Sequence, residues 1–157
     1  MRRLKRHKVT GPNPLWHVYR ILPFGRTAFN TIIIELGRYC PSMPMKKKLY
    51  ELTGMTIGEK TSIAYKVTPD IMYPEKITIG SNCVIGFNST ILCHEYLIDE
   101  YRTGEVIIGD EVMIGANALV LPGVIIGDRA VIGANTVVTK DVPASTFAYG
   151  NPMQIRE

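Results

Sequence analysis

The sequence predicts an all-β solenoid, a chain that winds through short strands in stacked turns. Three observations predict it. From Tyr73 an aliphatic or aromatic residue recurs every six positions, a glycine usually follows it, and a small or branched residue comes four positions after it. Neither the 3.6-residue period of a helix nor the alternation of a strand produces a spacing of six. The recurring positions are Tyr73, Ile79, Ile85, Ile91, Leu97, Ile108, Ile114, Val120, Ile126, Ile132 and Val138.

Three such units would close a triangular turn of 18 residues, so that equivalent positions stack above one another. The period breaks once, between Leu97 and Ile108. If this gap is one unit plus a five-residue insertion, stacked positions on its two sides are 23 residues apart in the sequence instead of 18. Each buried aliphatic contributes ~1.5–3 kcal/mol, but a turn cannot bury its face alone, and only the stack is stable. The predicted inner columns are Tyr73, Ile91, Ile114 and Ile132, and Ile79, Leu97, Val120 and Val138.

The first third of the chain lacks this period, which divides the sequence into residues 1–54 and 55–157. Prolines at positions 12, 14 and 23 predict an extended arm at the start. A helix is predicted from Arg26 to Tyr39, and a shorter one from Met45 to Thr53. We expect these helices to cap the open edge of the solenoid, which needs covering. The apolar face of the first helix is predicted to consist of Phe29, Ile32, Ile33, Leu36 and Tyr39.

Charged residues are distributed unevenly along the chain, and basic residues are concentrated in the part without repeats. Residues 1–60 hold 12 Lys and Arg against 3 acidic residues, whereas residues 61–157 hold 6 against 11. The basic part solvates the cap, makes a weak contact with an anionic membrane surface or glycan, or does both. Without a known nucleic-acid-binding module, the charge does not indicate a nucleic acid partner. The N-terminus has no apolar stretch of a secretory signal, so we expect a cytoplasmic protein, peripheral at the inner membrane face if the arm binds lipid.

One histidine lies within the repeats, in the position three after the aliphatic residue that asparagine usually occupies. This is His94, and the predicted stacking puts it below Asn117. It lies beside the only insertion in the array, and insertions in solenoids cluster on the working face. The three cysteines are scattered without metal-ligand spacing, so no metal site is predicted. His94 is therefore the candidate for chemistry.

The runs IGSNCVIGFNSTIL and IGDEVMIGANALVLPGVIIGDRAVIGANTVVTKDVP, with the later GNP, resemble the hexapeptide-repeat acyltransferases. The resemblance covers about residues 55–155, and within that family it is strongest to the maltose, galactoside and nodulation O-acetyltransferases. It implies a left-handed parallel β-helix, to which the helices predicted in residues 1–54 would add a short N-terminal cap. It also implies a homotrimer with active sites between subunits, and acetyl-CoA as the acyl donor. The γ-class carbonic anhydrases share this fold but bind zinc through three histidines, which the repeat region lacks.

The resemblance also implies a role for His94, because the segment from Cys93 to Leu97 and its following loop are similar to the family's catalytic histidine and loop. A hydroxyl is almost fully protonated at neutral pH, so acyl transfer to it needs a base, and imidazole titrates in the right range. The other ring nitrogen needs an orienting partner. Glu95, Asp70 and Glu105 are the candidates for orienting His94 or binding the acceptor. We expect the turn to open at Glu95, because an unpaired buried carboxylate is costly.

For coenzyme A the resemblance implies contacts made mainly by the backbone. Matching residue by residue gives Gly115, Ala116 and Ala134, with Thr139 and Lys140 for the phosphates. The backbone N–H groups near Gly115 would stabilise the oxyanion, an effect of ~3 kcal/mol. Gln154 stands where the family often has a basic residue.

The resemblance, together with His94 and its loop, implies an acetyl-CoA-dependent O-acetyltransferase that acetylates a hydroxyl of a sugar or glycan-like acceptor. The alternative is a non-catalytic β-helix that serves as a scaffold or binding module. His94 and its loop discriminate between the two, since a scaffold needs neither.

Overall fold

The computed structural model describes residues 1–157. Strand β1 (Lys5–Lys8) comes first, followed by helices α1 (Val18–Ile21), α2 (Phe24–Tyr39) and α3 (Met43–Leu52). None of the helices is long and apolar enough to cross a bilayer. The later strands are β2 (Thr56–Ile57), β3 (Ser62–Ile63), β4 (Thr68–Pro69), β5 (Ile77–Ile79), β6 (Val84–Ile85), β7 (Thr90–Ile91), β8 (His94–Tyr96), β9 (Glu100–Thr103), β10 (Val106–Ile108), β11 (Met113–Ile114), β12 (Leu119–Val120), β13 (Ile125–Ile126), β14 (Val131–Ile132), β15 (Val137–Val138), β16 (Phe147–Tyr149) and β17 (Gln154–Arg156).

From β2 to β15 the chain visits three sheets in turn, apart from the hairpin β8–β9. Sheet I contains β2, β5, β10 and β13, and sheet III contains β4, β7, β12 and β15. Sheet II contains β3, β6, β11, β14 and β16, and β17 joins it as an antiparallel edge. Each visit adds a short strand parallel to the previous one. The parallel sheets, with their aliphatic side chains turned into one buried core, follow the predicted six-residue unit.

The corners between strands use left-handed backbone at one fixed position. Asn88, Asn117 and Asn135 all have φ near +57° there, a conformation that asparagine tolerates better than most residues. The glycine after each aliphatic residue has a different purpose, which is close stacking. A Cβ on Gly115 would lie 2.5 Å from the backbone nitrogen of Ala134 in the next turn. The corner residues with positive φ are Lys60, Lys66, Asn82, Asn88, Glu111, Asn117, Arg129, Asn135 and Ser145.

The predicted stacking across the insertion was wrong by six residues. Ile91 pairs with Val120 and Ile85 with Ile114, each 29 residues apart. The inserted segment is therefore eleven residues long, and Leu97 belongs to it. Leu97 matches the six-residue period only by coincidence, since it lies in the hairpin connection and is 39% exposed. The observed columns are Ile57, Ile79, Ile108 and Ile126; Ile63, Ile85, Ile114 and Ile132; and Pro69, Ile91, Val120 and Val138.

Helix α2 begins two residues before the predicted bound, but its large apolar side chains face outward. Phe29, Ile32 and Leu36 are about half exposed, at 48%, 60% and 57%. Apart from Ile34, the side that packs on the molecule carries small or polar residues, because the neighbouring helix is very close. A Cβ on Gly37 would collide with the ring of Tyr50. The buried residues of α2 are Thr27, Asn30, Ile34 and Gly37.

Helix α3 supplies side-chain donors to the first turn of the sheets. The buried Lys46 donates from Nζ to the carbonyl oxygens of Ile63 and Ala64, at 3.0 and 3.1 Å. Tyr50, also fully buried, donates from its hydroxyl to the carbonyl of Val67 at 2.8 Å. These bonds satisfy carbonyl groups that no further strand could reach.

The basic start of the chain is extended at β1, which docks on the molecule, but the predicted arm is not extended throughout, because residues 18–21 form helix α1. Strand β1 pairs antiparallel with β9 over four residues. One arginine of this strand and two just before it meet carboxylates: Arg6 pairs with Glu100 at 3.6 Å, Arg2 with Glu95, and Arg3 with Asp141 at 3.0 Å.

Candidate active site

The candidate site lies at the corner between sheets III and I, where the chain departs from its regular path in two successive turns. After β7 the chain leaves the stack as the antiparallel hairpin β8–β9 and returns at β10. His94 is the first residue of this hairpin. It does not lie below Asn117, which follows β11 at the other corner, between sheets II and III. Asp70 occupies the equivalent corner one turn earlier, directly after β4.

Asp70 and His94 are in direct contact. The imidazole Nδ1 lies 2.6 Å from Oδ2 of Asp70. The same carboxylate accepts backbone N–H bonds from Met72 at 2.8 Å, Tyr73 at 2.9 Å and Cys93 at 2.6 Å. The Asp70 side chain is completely buried, whereas that of His94 is 18% exposed. Asp70 is thus a fixed, fully satisfied acceptor, and the far side of the imidazole reaches the surface.

The protonation of this pair follows from these contacts. Burial alone would raise the pKa of Asp70, but the hydrogen bonds and charge of His94 and the backbone N–H bonds hold it below its usual value. The carboxylate is therefore ionised and can only accept. Nδ1 of His94 must carry the proton in this bond, which leaves the lone pair of the neutral ring on Nε2. The arrangement provides a base at the exposed end of a fixed imidazole.

Aromatic rings surround the imidazole. The ring of Tyr96 meets it edge-on, with centroids 5.3 Å apart, and that of Tyr73 lies at 5.9 Å. The hydroxyl groups of the two tyrosines are 3.5 Å from each other. Burial raises the pKa of both phenols, so they stay protonated at neutral pH. Tyr101 stacks behind Tyr96 with centroids 5.5 Å apart.

Two of the three carboxylates predicted near His94 do not contact it. The side chain of Glu95 interacts with Arg2 and lies 3.7 Å from Arg102. The turn opens at Glu95 as expected, because β8 pairs with β9 here instead of closing a turn. Glu105 is exposed and makes no side-chain hydrogen bond or ion pair. Of the three, only Asp70 touches the imidazole.

The thiol next to His94 is not arranged for chemistry. Cys93 is fully buried, and burial raises the pKa of its thiol, which keeps it protonated. No group of three or more His, Cys, Asp or Glu side chains is placed to hold a metal ion.

The candidate coenzyme A residues lie at two corners. Gly115, Ala116 and Ala134 come together between sheets II and III, where the N–H of Asn135 donates to the carbonyl of Ala116 at 2.9 Å. The N–H of Gly115 donates to Ile132 at 2.7 Å, so it is not free for an oxyanion. Thr139 and Lys140 follow β15 and are exposed at the corner between sheets III and I. A strand of sheet III separates the two groups within one chain.

Sequence reasoning did not identify the rings or the arginines around the site. Tyr96 and Tyr101 face each other across the hairpin, and Arg2 arrives from the far end of the chain. The segment EYLIDEYRT carries a signal that could have found the hairpin, since two Glu-Tyr pairs flank a short connection. The contact of Arg2 leaves no local signal. None of the surface cavities of the single chain is lined by His94.

Comparison with known proteins places this geometry in context. A family model described as "Hexapeptide repeat of succinyl-transferase" matches residues 76–92 and 105–140. The putative acetyltransferase YvoF of Bacillus subtilis (strain 168) is 56% identical over 156 residues, covering 99% of this chain and 91% of that protein.

Two solved structures share the fold. One is the hexapeptide-repeat-containing acetyltransferase VCA0836 of Vibrio cholerae O1 biovar eltor, complexed with acetyl coenzyme A, with a TM-score of 0.71, 23% identity and coverage of 85% of this chain and 86% of that one. The other is a maltose O-acetyltransferase of Clostridium difficile 630, with a TM-score of 0.67, 23% identity and the same coverage.

Proposed function

The chain belongs to the hexapeptide-repeat acyltransferase family, and we propose that it transfers an acetyl group from acetyl-CoA to a hydroxyl group, with His94 as the general base. The single observation that carries this proposal is the contact between His94 Nδ1 and the buried Asp70 carboxylate. It fixes the tautomer in which Nε2 is basic and exposed. A scaffold protein has no use for such a pair.

In this proposal Nε2 of His94 removes the proton of the acceptor hydroxyl as its oxygen attacks the thioester carbonyl carbon. The carbon–sulfur bond then breaks, and the proton on Nε2 passes to the departing thiolate of coenzyme A. Asp70 stabilises the imidazolium that forms between the two steps. Positioned base catalysis of this kind contributes ~10²–10⁴-fold to the rate.

We assign the phosphates of acetyl-CoA to Thr139 and Lys140 of one copy, and the rest of the molecule to the corner of a neighbouring copy that carries Gly115, Ala116 and Ala134. In one chain that corner and His94 lie at opposite ends of the sheet III strands. The proposal therefore includes a homotrimer in which His94 of one copy faces the Ala116 corner of the next. The exposed apolar side chains of α2 support this assembly, because a second copy could cover them. At the end of α2 the ring of Tyr39 contacts that of Tyr65, with centroids 5.4 Å apart, and Tyr65 lies at the corner between sheets II and III, as Ala116 does.

The finer features of the fold belong to the same proposal. The parallel turns would wind as a left-handed β-helix. Helices α2 and α3 would act as its cap, with Lys46 and Tyr50 donating to carbonyl groups of the first turn. The division at residues 54 and 55 would separate this cap and arm from the catalytic domain.

The acceptor we propose is a sugar or glycan hydroxyl. Tyrosine side chains beside His94 offer both apolar ring surface and hydroxyl groups, which suit a polyhydroxylated ring. Lys5 and Arg20 are exposed in the basic arm without an ion pair. Through them we propose a weak contact with anionic lipid, for a cytoplasmic enzyme at the inner membrane face.

The test is coenzyme A release from acetyl-CoA over a panel of glucose, galactose, maltose and N-acetylglucosamine. We expect release by the wild type and a loss of about a hundredfold or more in His94→Ala. The matched control is His17→Ala, since His17 lies outside the site. A wild type that neither releases coenzyme A nor binds acetyl-CoA in calorimetry would exclude the acetyltransferase and favour the non-catalytic scaffold.

A further inference from the structure

We propose that strand β1 is a positioning element of the active site, which acts on His94 through a stack of rings formed by His7, Tyr101 and Tyr96. The proposal rests on the proposed function, because it takes His94 as the base. It assigns a role to His7, a histidine far from His94 in the sequence.

The pairing of three strands aligns these rings. His7 lies opposite Tyr101 in the β1–β9 ladder, and Tyr101 lies opposite Tyr96 in the β9–β8 ladder. Residues directly opposite one another in antiparallel strands project on the same face of the sheet. His94 lies two residues before Tyr96 on β8 and therefore projects on this face as well. The row of rings thus leads from the first strand of the chain to the imidazole.

The rings are in contact along the whole row. His7 stacks on Tyr101 with centroids 4.5 Å apart and an interplanar angle of 8°. Tyr101 stacks on Tyr96 at 20°, and Tyr96 meets the edge of His94. One hydrogen bond, to Asp70, fixes Nδ1 but leaves the ring free to pivot about it. The ring of Tyr96 restricts this pivot, and Tyr101 and His7 hold Tyr96 from behind.

The opposite face of the same small sheet carries charges that hold β1 to the hairpin. Glu95 of β8 interacts with Arg2, just before β1, and Glu100 of β9 lies 3.6 Å from Arg6 of β1. The side chains of Arg2 and Glu95 are 21% and 22% exposed. Ion pairs that are this well covered are screened less by salt than pairs on an open surface.

The backbone just before β1 packs in a narrow slot beside Gly104 and Gly123, which leaves it no room to shift. The N–H of Arg3 donates to the carbonyl of Gly123 at 2.9 Å. A Cβ on Gly123 would lie 2.6 Å from the Arg3 carbonyl oxygen, and one on Gly104 would lie 2.7 Å from it. The backbone of Arg3 thus occupies space that only two glycines can provide. Strand β1 therefore has one position relative to His94.

The test compares His7→Ala, which removes the last ring of the stack, with His7→Phe, which keeps a ring. Lys8→Ala is the matched control, because Lys8 is an exposed residue of the same strand without a side-chain hydrogen bond or ion pair. We expect His7→Ala to lower kcat for the acetylated panel sugar about tenfold, with KM for acetyl-CoA unchanged, because a small displacement of the base slows the chemical step. The kcat of His7→Phe should lie within about threefold of the wild-type value, and Lys8→Ala should have the wild-type kcat.

A second readout needs no acceptor: the rate at which diethyl pyrocarbonate modifies His94, located by peptide mass spectrometry. We expect faster modification in His7→Ala and the wild-type rate in His7→Phe and Lys8→Ala. An unchanged kcat in His7→Ala, or a failure of His7→Phe to restore it, would overturn the proposal. If the wild type neither releases coenzyme A nor binds acetyl-CoA, the proposed function fails. The modification rate then decides alone, and equal rates in wild type and His7→Ala overturn the positioning role.

Discussion

Asp70 and His94 are 24 residues apart in the chain and meet through a 2.6 Å contact between Oδ2 and Nδ1. Each lies where one turn of the stack contains extra residues. Equivalent strands are 22 residues apart across the Asp70 corner and 29 apart across the His94 corner, against 18 in the turns above. Both insertions lie at the corner between sheets III and I. The regular stack thus holds two irregular segments next to each other, and the site is built from them.

The first prediction concerns the tautomer of His94. In Asp70→Asn the amide can donate to Nδ1, which would move the proton to Nε2 and remove the base from the exposed side. We expect coenzyme A release to fall about a hundredfold or more, while acetyl-CoA affinity measured by calorimetry stays the same. Glu105→Gln is the control, because Glu105 is exposed and has no partner. Wild-type activity in Asp70→Asn would show that the pair has no catalytic role.

The second prediction follows from the pKa of the same carboxyl, which is lower in the folded protein than its usual value of 3.8. A group with a lowered folded pKa stabilises the fold above its unfolded pKa, and this contribution disappears as the pH falls through the folded value. The free energy of unfolding measured with urea should therefore fall more steeply below pH 4 in the wild type than in Asp70→Asn. Parallel acid profiles of the two proteins would contradict this.

The repeats could be predicted from the sequence because the residues that determine the geometry of a unit lie within that unit. Ile108, Gly109 and Val112 give a buried strand, a close stacking position and a small inward residue within six residues, and this unit recurs. The insertion could not be measured in this way, because Leu97 continued the period inside the hairpin. Only the pairing of Ile91 with Val120 fixes its length.

The remaining errors concern contacts between distant segments. The apolar residues of α2 were assigned to one face correctly, but the spacing does not say whether that face is covered by the same chain. Here Tyr50 packs against Gly37 on the other side, which leaves Ile32 outside. In the same way, nothing near Arg2 in the sequence indicates that it meets Glu95, 93 residues later.

The third prediction concerns the slot for the first strand. Gly123→Ala adds a Cβ close to the Arg3 backbone, at a residue whose φ is +79°. We expect faster amide exchange across β1 and β9 and a loss of about 1–3 kcal/mol in the free energy of unfolding. Gly25→Ala is the control, since the added Cβ would meet no atom within 4 Å other than those of its chain neighbours and of its own helix backbone. Wild-type exchange in Gly123→Ala would mean that the strand is not held there.

The fourth prediction concerns the helices below the first turn. Tyr50→Phe removes the donor for the carbonyl of Val67 in a fully buried position. An unsatisfied buried acceptor costs about 1–3 kcal/mol, so the urea midpoint should fall by a corresponding amount. Tyr19→Phe is the control, because Tyr19 is 56% exposed and its hydroxyl makes no hydrogen bond within the chain. Equal midpoints for both variants would contradict a stabilising contact at Val67.

The fifth prediction tests the assembly that the proposed site requires. Leu36 lies in the exposed apolar row of α2, and a charge there would have to be buried if three copies meet along this row. We expect the wild type to have the mass of a trimer in light scattering, and Leu36→Glu to have the mass of a monomer and lose acetyl transfer. Val84→Glu is the control, because Val84 is 50% exposed on the outer face of sheet II, away from this row. A monomeric wild type would contradict the trimer, whereas a trimeric Leu36→Glu would keep the trimer and exclude α2 as its contact.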